Sequence, residues 1–492
     1  MTDMENTNDT NVQEEATAQE ETAVQEPVQE QAAAGVAIED KEPMEHTNRN
    51  KKKRKRGCAI AAIVVGSIAL VIILLIALVP ILNVVTTKAL IEQAKSFEKV
   101  AYADQLVPTK DADGYYTFTT DRDLNVLQLT DVHIGSGFLS KDEDPWAMNA
   151  VATMVRKSTP DLVIITGDIS YPVPFSSGSF NNLNPAKVFA NEMEALGVYW
   201  TFAFGNHDTE AYSYYTRQEI CDWYAEQNFK YCLFSANNDI ADKDEAESFG
   251  YGNNIIKVKN SAGVITQALV LFDSHSYTDG DVFGALWKYD NIHQNQIDWY
   301  TQEMAKLRQQ NAAKGVDAPI KNLAFFHIPL REYREAWGEL VETNGKMGVR
   351  GEVMANSEHV EYIYGYNDEI TGASANPLAK SDENTYGVFC GVKNEALAGK
   401  FWAAAKANAM QGAFCGHDHI NNFSVRYTKD DYTMRLTYGM SVDYLAYAGI
   451  FKQHSQRGCT AIVVRPDGSF DCQQRNYYTD FNVDYEVKGS EE

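Results

Sequence analysis

Side chains able to hold metal ions recur along this chain, each just after a short apolar run. Asp131 and His133 follow Val126–Leu129, and Asp168 follows Leu162–Ile165. Asn206 and His207 follow Trp200–Phe204, His327 follows Leu323–Phe326, and His417 and His419 follow Ala413–Cys415. Five of the ten histidines stand at such endings, far more than scattered placement gives. The donors are oxygen and imidazole without thiolate, a set that suits Mn, Fe or Zn. They suffice for two ions, with one carboxylate left to bridge. Two ions about 3.5–4 Å apart can clamp a phosphoryl group and activate water between them.

Taken singly, most of these motifs have a plainer reading. Asp131-Val132-His133 also fits an ordinary turn at a strand end. Gly167-Asp168 fits a turn or a helix cap. His327 after two phenylalanines fits a satisfied core histidine. Gly205-Asn206-His207-Asp208 and Gly416-His417-Asp418-His419 are more specific, because each sets several polar groups behind a buried run. Their order along the whole chain is what points to one site.

The runs that carry these residues read as buried strands, including a further one at Ala268–Phe272. Helical patterns lie between them, at Trp146–Lys157, Pro185–Leu196 and Gln296–Gln309. Strands alternating with helical crossovers predict an α/β sheet, and ligands in such sheets bind beyond the carboxyl ends of the strands. Stretches 210–260 and 330–400 read as long insertions, and no internal repeat is visible.

Composition bounds the rest. Of 492 residues, 44% are hydrophobic and 23% charged, which excludes a wholly disordered or fibrous chain. A net charge of −25 argues against nucleic-acid binding. Residues 1–50 hold 13 acidic and 2 basic side chains and read as a disordered acidic tail. A basic block, Lys51–Arg56, then precedes 57–87, where no residue is charged. A bilayer core needs about 20 apolar residues in a helix. The expectation is one transmembrane helix over 57–87, an uncleaved signal-anchor with a cytoplasmic N-terminus and an extracytoplasmic catalytic part. Residues 88–115 read as a linker, 116–480 as the catalytic domain and 481–492 as an acidic tail. Six cysteines follow the span, able to pair or to stay as buried thiols.

The series Asp-Val-His, Gly-Asp, Gly-Asn-His-Asp, Phe-Phe-His and Gly-His-Asp-His resembles the calcineurin-like metallophosphoesterase superfamily over about Leu124 to Asp471. Gly167–Tyr171, Gln296–Trp299, Phe326–Pro329 and Gly416–Asn422 bring it closest to the purple-acid-phosphatase-like branch of membrane-anchored or secreted enzymes. The resemblance implies a β-sandwich flanked by helices and an α/β class. It also implies a dinuclear centre of Mn, Fe or Zn, and a phosphate-ester substrate attacked by a metal-activated hydroxide. By it, Asp131, His133, Asp168 and His419 hold one metal, and Asp168, Asn206, His327 and His417 hold the other. His207 contacts phosphate and protonates the leaving oxygen, with Asp208 as its orienting partner. The chain departs from true purple acid phosphatases in having His133 at the first motif as well as Tyr171. His133 is favoured as the ligand, and Tyr171 as lining the cleft; a Tyr171 ligand would bring ferric iron.

Substrate contacts are weakly encoded, with His275, Tyr333 and Tyr438 as candidates. No Walker loop or Gly-x-Ser-x-Gly elbow is present. The alternatives to a monoesterase are a phosphodiesterase or nucleotide hydrolase of the same fold, and a non-catalytic membrane-anchored binding protein. The cytoplasmic tail names no partner.

Overall fold

All six apolar runs expected as strands are strands, and they belong to two sheets. A computed structural model describes residues 47–277, 289–346, 348, 351–367, 399–446 and 456–485; of 47–58, 72 and 74–76 it describes the backbone alone. The larger sheet has nine strands, in the order β1 (Thr109–Lys110), β2 (Tyr116–Thr119), β6 (Asn254–Lys259), β7 (Ile265–Leu271), β8 (Asn322–Phe325), β10 (Met410–Cys415), β12 (Tyr432–Tyr438), β11 (Ser424–Lys429) and β9 (Val360–Tyr364). The smaller runs β14 (Phe470–Asn476), β13 (Gly458–Val464), β3 (Leu124–Leu129), β4 (Leu162–Thr166) and β5 (Tyr199–Ala203). β3, β4 and β5 are parallel, with Leu129 opposite Ile165 and Ile165 opposite Phe202. β7, β8, β10 and β12 are parallel too. Parallel neighbours end at one edge, so the loops after β3, β4, β5, β8 and β10 open together.

Period-two alternation builds the layers. Leu269 and Leu271 of β7 and Leu323 and Phe325 of β8 join one core with Leu127, Ile164 and Phe202 of the other sheet. That core extends to Val151 and Val155 of α2 (Glu143–Ser158) and Phe189 and Met193 of α3 (Leu183–Leu196). The alternate residues Ala268, Val270 and Ala324 join a second core. Its other members include Tyr300 of α6 (Gln294–Ala312), Trp337 of α7 (Arg331–Asn344) and Trp402 of α8 (Lys400–Ala407). The result is an α/β fold, a two-sheet sandwich flanked by helices. The remaining helices are α1 (Thr47–Ser96), α4 (Arg217–Glu226) and α5 (Lys243–Phe249).

The chain divides into Met1–Leu70 and Val71–Glu492. Among the described residues no helix is long and apolar enough to cross a membrane. The span expected over 57–87 falls partly on side chains outside that description. The stretch expected as a linker, 88–115, instead packs into the domain. Asn83, Thr87, Leu90 and Ala94 form one stripe of α1. Leu90, Ala94 and Val100 are buried in the first core. Asn83 donates to the Gly178 carbonyl at 2.8 Å and accepts from the Phe138 amide at 3.0 Å; Thr87 donates to the Ser136 carbonyl at 3.1 Å. The acidic tail up to residue 46 and residues 486–492 lie outside the described residues, and Phe481 at the edge of the expected C-terminal tail is buried. Cys221, Cys232, Cys459 and Cys472 are free thiols.

Candidate metal centre

The turns that leave these strands are sharp, and they place the ligands on left-handed backbone. Asp131, His133, Asp168 and His417 have φ of 52°, 54°, 55° and 79°. Such residues cost on the order of 1–3 kcal/mol each and persist where surrounding structure forces them. Here the turns force one another. The Asp131 amide donates to the Gly167 carbonyl, His133 to Asp168, and Gly416 to His327, at 3.0–3.1 Å. The glycines of these motifs allow the close approach. A Cβ on Gly205 would lie 2.1 Å from Asp168 Oδ1, and one on Gly167, at φ 89°, would lie 2.5 Å from His327 Nδ1.

Asp168 occupies the centre. Its Oδ2 lies 3.2 Å from His133 Nε2 and 3.1 Å from His327 Nε2, and its Oδ1 accepts the His207 amide at 2.8 Å. On one side, Asp131, His133, Asp168 and His419 bring four ligand atoms within 4.8 Å of one another. On the other, Asn206 Oδ1 lies 3.0 Å from both His327 Nε2 and His417 Nδ1.

The hydrogen bonds behind these atoms aim lone pairs inward. His327 Nδ1 donates to the Thr166 carbonyl at 2.8 Å, which leaves Nε2 facing two oxygen acceptors. The Asn206 amide nitrogen donates to Tyr277 Oη at 3.0 Å, which turns its Oδ1 to the imidazoles. Acceptors facing acceptors in a buried site require positive charge between them, supplied by protons or by metal ions. Burial opposes charge on His133 and His327, yet Asp443 and Asp168 lift His133 to about 10, and Asp168 lifts His327 to about 9. Burial likewise opposes charge on Asp168, and His327, His207 and His133 hold it well below the carboxylate range. The residues present therefore fit a pair of cations.

Asp443 is a member the motifs did not reveal. Its Oδ1 lies 3.2 Å from His133 Nδ1 and its Oδ2 lies 3.3 Å from His419 Nδ1. It faces the Nδ1 side of both rings at ion-pair distance, the position from which a carboxylate supports a ligating histidine. The signal was available, since Asp443 stands five residues past β12, the last strand of the parallel set.

His207 begins a 3₁₀ turn, His207–Thr209, and its partner differs from the expected one. Asp208 points away from it and accepts from the amides of Asp168, Ser170 and Gly205 at 2.8–3.0 Å. Burial and the neighbouring Asp168 push Asp208 up to about 6. Glu210, one turn on, meets His207 Nδ1 at 2.6 Å. In a 3₁₀ turn residues three apart share a face, whereas the adjacent residue points elsewhere. Burial opposes charge on His207, but Asp168 and Glu210 raise its pKa.

Tyr171 sits with its ring 4.9 Å from that of His133 and 4.8 Å from that of His207, so it lines the cleft. Burial and the charge of Asp443 raise its pKa, which keeps the phenol protonated. Tyr333 and Tyr438 are not substrate contacts. Both are fully buried, with Tyr333 donating to the Ala413 carbonyl at 2.7 Å and Tyr438 to Asp418 at 2.6 Å. They follow the site in sequence but point into the second core. His275 is also set apart, stacked on His293 at 4.0 Å and bonded to the carbonyls of Asn291 and Glu247. Besides Tyr171, Tyr277 reaches Asn206 and also bonds Glu210, and Tyr289 packs edge-on to His417 at 4.3 Å.

A two-sheet sandwich with buried Asp, Asn and His side chains gathered at the strand ends is the arrangement that the sequence resemblance implies. Residues 124–354 match the family model described as calcineurin-like phosphoesterase. Over that stretch, just under half of its length, the chain carries a calcineurin-like phosphoesterase domain, and it is similar to proteins that bear purple acid phosphatase names. His417, His419 and Asp443 lie beyond the matched stretch. The chain is 23% identical to "Probable inactive purple acid phosphatase 14" of Arabidopsis thaliana, over 62% of this chain and 68% of that one. "Probable inactive purple acid phosphatase 28" of the same plant is 22% identical over the same shares. "Phosphatase DCR2" of Saccharomyces cerevisiae is 27% identical over 44% of this chain and 36% of its own length.

Proposed function

We propose that this protein is a membrane-anchored, metal-dependent phosphoesterase with two ions sharing Asp168. The carrying observation is the position of Asp168 Oδ2, within 3.2 Å of one imidazole from each ligand group. Asp131, His133 and His419 would complete one site, and Asn206, His327 and His417 the other. Bound there, two ions would lower the pKa of water and neutralise charge building on the phosphoryl oxygens. His207 gives Nδ1 to Glu210 and keeps Nε2 to protonate the leaving oxygen, a role that typically contributes about 10²–10⁴-fold. Tyr171 and Tyr277 wall the cleft. Three relatives bear names that mark them inactive, and the completeness of the ligand set here supports catalysis.

The anchor is α1. Its stretch 57–87 lacks charge, and its described side chains include the exposed Ile60, Ile63, Val65, Ile68, Val71 and Ile81. Water around so much aliphatic surface is unfavourable, and a bilayer removes it. The basic block before this stretch supports a cytoplasmic N-terminus with the domain on the other side.

The test is hydrolysis by the full chain in detergent, loaded in turn with Mn²⁺, Zn²⁺ or iron. p-Nitrophenyl phosphate and its bis ester are offered in parallel. Expected is turnover with at least one metal, lost with the metal content in Asp168→Asn. Bound metal without turnover of either ester would replace the enzyme by a binding protein.

A further inference from the structure

Asn83 ties two loops of the domain to a definite level of α1. Its side chain bonds the Phe138 amide and the Gly178 carbonyl, and the Leu139 amide joins the two loops by donating to the Ser177 carbonyl at 3.1 Å. Lys88 is the first charged residue after the apolar stretch. It lies five residues past Asn83 on the helix, about 7.5 Å along the axis. The headgroup layer of a bilayer is about 5–8 Å thick on each side. With Lys88 at the water side, whatever bonds Asn83 lies at the boundary of headgroups and hydrocarbon.

The loops are built for that layer. No residue from 169 to 186 is charged, in a chain where 23% are. The turn after Val173, closed by the Ser176 and Ser177 amides on the Val173 carbonyl and by Gly178 on Pro174, lifts Phe175 out to 94% exposure. Leu139, bonded to Ser177 of that turn, is 46% exposed. Phe180 stacks on Tyr214 at 6.1 Å and packs against Tyr212 at 6.2 Å. Exposed aromatics flanking an apolar helix mark a membrane interface. The same segment includes Tyr171, whose ring is 4.8 Å from that of His207.

We infer that loops 137–139 and 173–180 form a membrane-contacting rim of the metal centre, with Phe175 and Leu139 seated in the interfacial layer of the bilayer. This rests on the reading of α1 as an anchor. The occupant is lipid, because the rim is fixed at the depth of Asn83 on the apolar helix. The rim holds the cleft beside the bilayer surface, at most four residues of chain, about 13 Å, from Tyr171.

Photo-crosslinking of the full chain in phosphatidylcholine vesicles tests it. p-Benzoylphenylalanine is placed singly at Phe175, at Leu139, at Ile81 of α1, or at Val316. Val316 precedes β8 and so lies at the strand edge opposite the metal centre. Expected are lipid adducts at 175 and 139 within about two-fold of the yield at 81, and none at 316. Adducts at 81 without 175 and 139 would overturn the rim and leave the anchor standing. Absence of adducts at 81 would overturn the anchor, and the rim with it. Equal adducts at 316 would show non-specific contact and overturn the rim.

Discussion

Oδ1 of Asp443 lies 3.2 Å from Nδ1 of His133, with both side chains closed off from water. The other oxygen of the same carboxylate lies 3.3 Å from His419 Nδ1, so one carboxylate faces two of the imidazoles proposed to hold one metal. Burial opposes its charge, but His133 and His419 hold Asp443 well below the carboxylate range. Asp443→Asn keeps the shape and removes the charge. Loss of such a support typically costs about 10–100-fold in metal affinity or activity. Metal titration followed by elemental analysis checks this, and unchanged affinity would reduce Asp443 to packing.

His207 and the carboxylates around it separate catalysis from folding. Glu210→Gln keeps an acceptor for Nδ1 but removes the negative charge, and so lowers the pKa of the ring. Turnover of esters with poor leaving groups is expected to fall about 10-fold or more, while p-nitrophenyl phosphate is less affected. Asp208→Ala instead strands three buried amides, at about 1–3 kcal/mol each, and lowers thermal stability. A rate loss confined to Asp208→Ala, with Glu210→Gln unaffected on every ester, would reverse the assignment.

Glu192 on α3 is fully buried, and neither carboxylate oxygen has a hydrogen-bond partner. Burial therefore raises its pKa well above the usual value. An acid with a raised folded pKa favours the folded state below its unfolded pKa, near 4.3, and loses that contribution as pH rises through the folded value. Glu192→Met is expected to stabilise the protein at pH 8 by about 1–3 kcal/mol, with a smaller gain at pH 5. Thermal melts at both pH values decide it; a gain larger at pH 5 would contradict the sign.

The end of α1 belongs to the domain. Leu90→Ala should cost about 2–5 kcal/mol, as for other buried leucines. Asn83→Ala leaves the Phe138 amide without its partner and should cost about 1–3 kcal/mol. Unchanged melting of both variants in detergent would make this segment a tether only. A soluble form beginning at residue 98 is expected to melt lower than one beginning at 80.

Gly205 is where the turn after β5 touches Asp168. Gly205→Ala puts a methyl 2.1 Å from Asp168 Oδ1, so either the turn or the central carboxylate must move. Turnover is expected to fall by about 10²-fold or more, since a shift of about 1 Å in a reacting geometry can cost that much. Full activity in the alanine variant would mean that the motif glycine is not needed for close approach.

Much was legible because it is local. Short apolar runs marked the strands from Leu124 to Cys415, and the polar residue after each run marked Asp131, Asp168, Asn206, His327 and His417. A buried strand must expel its polar residues at its end, so hydrophobicity and chemistry are written side by side. The edge strands β9 and β14, and β11 next to β9, were not read, because partly exposed strands mix polar and apolar side chains without a clear run. The same limit misplaced Tyr333 and Tyr438, whose nearness to the motifs in sequence says nothing of the direction in which they point.

The sequence by itself determined the donor chemistry, the strand ends that carry it, and the uncharged stretch before the domain. Only the tertiary structure decided which groups meet: Asp443 with His133 and His419, Glu210 rather than Asp208 with His207, and Asn83 with the rim loops. Those pairs are joined by packing two sheets and a helix together, across as many as 310 positions for His133 and Asp443. Side-chain type is a property of one residue. A contact between distant residues is set by the layers that bury them, and no local pattern records it.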